Sequence, residues 1–247
     1  MRCGPGKLGL PMALRVSPPV PSSATHAGNV DARSRCLAPV MLDRMTIDSL
    51  SANDAPTLAA AVADAVARYE ATGDAGTLVE RLVSLAREAD ADALVAAAEP
   101  FRQQPEVAGI LYERVVALRP NDARALVVLA NSYWLTGRGP DVVGELATRA
   151  IAADATNRGA WHLWALTEAN PRQRTQRWQQ VTKRFPDDQL AKALLADNAA
   201  SLAGAEHDDE ALVLAIATYE ELLATAEQPQ QRAALERALT TLRGWKL

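Results

Sequence analysis

Aromatic residues make up only 4% of this 247-residue chain, and cysteine is scarcer still, with two residues. Both, Cys3 and Cys36, lie in the first forty positions, so no disulfide framework staples the remainder and no thiol acts there. A zinc site drawn from Cys3, His26 and Cys36 lacks the paired short spacing that such sites use. Histidine is limited to His26, His162 and His207. No HExxH, GxSxG, P-loop or glycine-rich dinucleotide turn is present. His162 and Glu168 fall on different faces of a helix, and Asp208, Asp209 and Glu210 sit where a helix start favours negative charge. The residues therefore predict a non-enzymatic protein with no catalytic group, no metal and no cofactor. Long apolar runs are missing too. ALVVLA at 125–130 falls far short of the roughly 18 residues a membrane span needs.

Net positive charge is confined to the first forty residues. Arg2, Lys7, Arg15, Arg33 and Arg35 face a single acid, Asp31, so residues 1–40 carry +4 of a net −4 and the rest carries −8. An acidic body is a poor polyanion binder, which weighs against nucleic acid as the partner. What the chain does have is apolar residues, 49% of it, with Ala and Leu prominent. Both are strong helix formers, and an all-α fold is predicted.

Residues 1–44 hold six of the fourteen prolines and no helical period. Three readings fit them: a disordered tail, a poor export signal, or an upstream extension preceding a true start at Met41 or Met45. The short apolar stretch LGLPMAL is broken by Pro11, which favours the tail or the mis-called start over the signal. The folded domain is expected over 45–247. A cytoplasmic location follows, or a periplasmic one if the segment is a signal.

The body is punctuated. RPND at 119–122 and FPDD at 185–188 stand 66 residues apart, each with an aromatic eight residues before the proline, Tyr112 and Trp178. An apolar helix is expected after each, with Asp122 and Asp188 as N-caps taking up free backbone N–H groups. In ALVVLANSYWLTG at 125–137, Ala130 follows Leu129, Tyr133 comes three residues on, and Gly137 closes the run.

These residues resemble a divergent, bacterial form of the tetratricopeptide repeat (TPR), a helix–turn–helix of 34 residues. The resemblance implies a right-handed α-solenoid of stacked antiparallel hairpins. Units fall near 52–88, 89–122, 123–157, 158–188 and 189–228, with a capping helix near 230–242. Ala108 and Ala130 would be small because partner helices cross there, while Leu126, Leu129, Tyr112, Tyr133, Trp161, Trp164 and Trp178 pack beside the crossings. The unit at 123–157 has an extra turn residue and places Val143 and Ala147 off the pattern. The unit at 158–188 is about three residues short, with Arg174 where a small residue belongs.

The resemblance further implies a concave groove that holds a peptide or helix of a partner protein. Its lining would be Arg124, Val127, Val128, Asn131, Trp134 and Leu135, then Gly159, His162, Leu163, Leu166, Ala169 and Asn170. Trp134 is the candidate anchor and Asn131 a candidate for polar ends. Val127 stands where the lysine of a carboxylate clamp would be, which argues against an acidic C-terminal tail as ligand. A regulatory or assembly subunit using convex or terminal surfaces is the alternative, or an envelope-assembly factor if residues 1–44 are an export signal. The basic stretch 171–185 is expected to be an outer face paired with acidic neighbours, behind a buried stripe of Trp178, Val181 and Phe185.

Overall fold

The computed structural model describes residues 57–246. Cys3, His26, Cys36 and the three readings of residues 1–44 lie outside the described residues. Those described form eleven α-helices and one short 3-10 turn, without a strand. The helices pair in sequence: α1 (Leu58–Thr72) with α2 (Ala75–Glu88), and α3 (Ala91–Ala98) with α4 (Pro105–Leu118). Next come α5 (Ala123–Leu135) with α6 (Pro140–Ala153), and α7 (Arg158–Leu166) with α8 (Pro171–Arg184). The fifth pair is α9 (Gln189–Glu206) with α10 (Asp209–Thr225), and a lone α11 (Pro229–Arg243) packs on α10. Stacked antiparallel hairpins of this kind make a helical repeat solenoid.

Local chemistry sets the breaks. Asp90, Asp122, Asn157 and Asp188 each precede the first helix of a hairpin and accept a hydrogen bond from the backbone N–H three residues on. This satisfies donors that the helix leaves free. Pro105, Pro140 and Pro171 open the second helices, where the missing N–H costs nothing. The expected caps Asp122 and Asp188 are found, and Asn170 caps the Pro171 start of α8.

Packing follows the small residues. Ala108, Leu126 and Ala130 are fully buried, and Leu129 and Tyr112 nearly so. A Cβ on Gly109 would lie 3.4 Å from the Ser132 Cβ, so α4 and α5 approach closely there. The extra residue in the α5–α6 turn is taken up by Gly137 and Gly139, at φ 74° and 95°. Only glycine enters that region at little cost. Val143 and Ala147, off the repeat pattern, are both enclosed. Arg174 reaches out of its crowded place, donating from Nε to Asn198 Oδ1 at 2.7 Å and from Nη1 to the Glu168 carbonyl at 3.2 Å.

Two arginines repeat one role. Arg114 of α4 donates to the Arg87 carbonyl at the end of α2, and Arg149 of α6 donates to the Pro120 carbonyl beyond α4, each at 3.2 Å. Each clasps its helix to the end of the equivalent helix one hairpin earlier.

Candidate functional site

The Asp122 cap starts α5, and helical spacing then puts Asn131, Trp134 and Leu135 on one face. Arg124, Asn131, Trp134 and Leu135 are exposed, Trp134 to 38% and Leu135 to 61%. Across the glycine turn Val142 is 44% exposed, so three large apolar side chains bracket one hairpin tip. Val127 and Val128 are half-buried against the core. Val127 also meets α7, since a Cβ on Gly159 would lie 3.2 Å from its Cγ1.

Behind this face Tyr133 is anchored. Its hydroxyl donates to Glu113 Oε1 at 2.8 Å, and the Arg138 guanidinium lies 5.2 Å from its ring centre. Burial, then the Glu113 carboxylate, pushes the phenol up to about 12. Folding thus favours the protonated phenol over the unfolded chain, in which it ionises near pH 10. The stability this gives is complete below pH 10 and lost as pH rises toward 12. Urea melts between pH 9 and 11.5 should show a steeper alkaline loss for wild type than for Tyr133→Phe; equal slopes would remove the Tyr133 linkage.

The α7 half of the expected groove is occupied by the fold itself. His162 Nε2 lies 2.7 Å from Asp188 Oδ2, and its ring meets Trp178 edge-on at 5.4 Å. Asp188 is buried and its other oxygen accepts the Ala191 N–H at 3.0 Å. Leu163 is 7% exposed and belongs to the core, which corrects its place in the groove. Leu166 is half-buried beside the Trp178 cluster, and the Asn170 side chain caps α8. The physical reason is the short unit. α7 stops at Leu166, where Thr167 and Asn170 turn the chain, and its faces pack on the core before and after it. Trp178 is enclosed as expected, whereas Trp161 and Trp164 are half-buried and meet edge-to-face at 5.5 Å.

Two cations of the basic stretch, Arg172 and Arg177, pair with acids, while Lys183 and Arg184 are exposed. Arg172 reaches Glu206 at 2.6 Å and Asp208 at 2.7 Å. Arg177 pairs with Glu168 at 2.7 Å, donates to the Trp164 carbonyl and lies 4.5 Å over the Trp164 ring. The pairing of Arg177 with Glu168 was not foreseen; Glu168 lies nine residues before it, across the Asn170–Pro171 turn, and that proximity was the available signal. A cleft of about 290 Å³ opens beside it between α6 and the α7–α8 turn, lined by Asp141, Glu145, Thr148, Trp164, Glu168 and Arg177. Its arginine is already satisfied by Glu168, and Asp141 stands in the first turn of α6, where the helix dipole favours it. Among the described residues no group of three or more metal-ligating side chains converges, and no helix is long and apolar enough to cross a membrane.

No family model and no curated protein matches the chain. Among solved structures it is similar to the MamA protein, at 16% identity over 69% of this chain and 96% of that one, with a TM-score of 0.49. It is also similar to a thermophilic TPR protein of Thermus thermophilus, TTC0263, at 16% identity over 72% and 97% of the two chains, with a TM-score of 0.47. By its own capped, proline-started and alanine-crossed hairpins, the described chain has a divergent tetratricopeptide-like fold.

Proposed function

We propose that this helical array is a protein-binding module that takes an apolar segment of a partner on the α5 face, around Trp134. The observation that carries the reading is the exposure of Trp134 and Leu135 side by side, with Asn131 on the same face. A large aromatic beside a polar amide suits peptide anchoring, because the ring supplies contact area and the amide can pair with a peptide backbone. Arg124, about 15 Å back along the helix from Trp134, fixes a polar or anionic end of the same segment. Val127 and Val128 form the floor between them. His162 and Leu163 hold the fold and take no direct part. The module carries out no reaction of its own.

Affinity capture from the source lysate tests this, with the full chain run beside an Asn131→Arg/Trp134→Ala variant. Both changes lie on exposed positions, so the variant should keep its helical circular dichroism. A protein retained by wild type and lost by the folded variant is the expected result. A partner held equally by both would move the binding surface elsewhere and sink the α5 reading.

A further inference from the structure

We infer that α7 is a joint at which the array divides into two cooperatively folding blocks, α1–α6 before it and α8–α11 after it. The apolar core is first interrupted inside this helix; a further break along α9 sets Leu195 apart from the small clusters around Ala199 and Leu202. Ala160 and Leu163 belong to a buried cluster that runs back through α5, α4 and α3 to Val62 on α1. Trp161 and Ala165, on another face of the same helix, pack instead with Trp178, Val181 and Leu195. Within α7, Trp164 alone packs against both clusters.

The clasp between second helices stops at the same place. Arg114 ties α4 to α2 and Arg149 ties α6 to α4, but among the described residues no side chain of α8 reaches the end of α6. The Ala155 carbonyl, just past α6, takes the Trp161 Nε1 proton at 3.0 Å, and Arg177 of α8 turns toward α7. Besides the apolar contacts of Trp161, Trp164, Ala165 and Leu166, the ties to the second block are polar: His162 to Asp188 and Arg158 to Asp187 at 3.0 Å from α7, and Glu168 of the α7–α8 turn to Arg177. Neighbouring repeats fold together through the apolar area they share, whereas the exposed Arg158–Asp187 pair couples weakly and is screened by salt. The second block is also the weaker one. Past Leu195 its buried clusters are small and rest largely on alanines such as Ala199, Ala203, Ala211 and Ala215. Regions with little shared apolar burial open at lower free energy than the rest.

Amide hydrogen exchange of the full chain, read by mass spectrometry across a urea series below the main unfolding, tests the division. Peptides spanning Val181, Leu195 and Leu222 are expected to open together at lower urea than peptides spanning Leu111, Leu126 and Leu146. A single opening free energy shared by all these peptides overturns the proposal. Trp164→Ala supplies a second reading. It should reduce protection of α8–α11 more than that of α4–α6, and an equal loss in both blocks also overturns it.

Discussion

Trp178→Ala should destabilise the protein by about 3–5 kcal/mol, the range for emptying a buried aromatic site. Trp178 is 1% exposed and the largest enclosed side chain, with Ala165, Val181, Ala191 and Leu195 in the same cluster. Its ring also supports His162, whose bond to Asp188 holds the start of α9. Small neighbours such as Ala165 and Ala191 cannot expand to fill the void, which places the loss toward the upper end. For a chain of this size that is a fall in Tm of roughly 10 °C or more. Trp178→Phe should lose distinctly less. It keeps much of the apolar ring and removes an indole N–H that is buried with no acceptor. Urea and thermal melts read both variants. An alanine variant within about 1 kcal/mol of wild type would mean the site collapses freely, contrary to close packing.

Ala130→Trp should cost about 3 kcal/mol or more, at or beyond the upper end for overpacking, because an indole has no room where a methyl group is fully enclosed. Ala130 stands on the middle helix of three, since α5 packs on both α4 and α6. Its neighbour Leu129 is buried and cannot turn outward. The strain therefore passes to the helix crossings and not to solvent. Ala130→Gly is the matching control, costing about 1 kcal/mol through helix propensity and roughly 1 kcal/mol more for the buried methyl group it removes. A tryptophan variant that melts with the wild type would place Ala130 away from any close crossing.

What could be read from the chain is what local chemistry decides. A cap needs only its own helix, so Asp122 and Asp188 were recognisable, as was the spacing that buries Trp178 and Val181. Buried Ala130 belongs with them, because a small residue amid large ones marks a crossing wherever the neighbour lies. The α7 surface was not readable. His162 meets Asp188 across 26 residues, and no periodicity within a nine-residue helix shows that partner. Leu163 was misplaced because the short unit leaves α7 packed on both sides. Arg174 was visible as a misfit, but its remedy, the Asn198 side chain, is set by tertiary contact alone.

The arginine clasps make the length of the array discrete. Arg114 and Arg149 each reach the end of a helix in the preceding hairpin, so each must leave its own helix in one direction. Every residue inserted within α4 or α6 ahead of the clasp turns that direction by about 100°. The chain can therefore grow or shrink there by whole hairpins, or within its turns, and keep the clasps, whereas a partial insertion inside α4 or α6 is expected to turn the arginine away from its carbonyl.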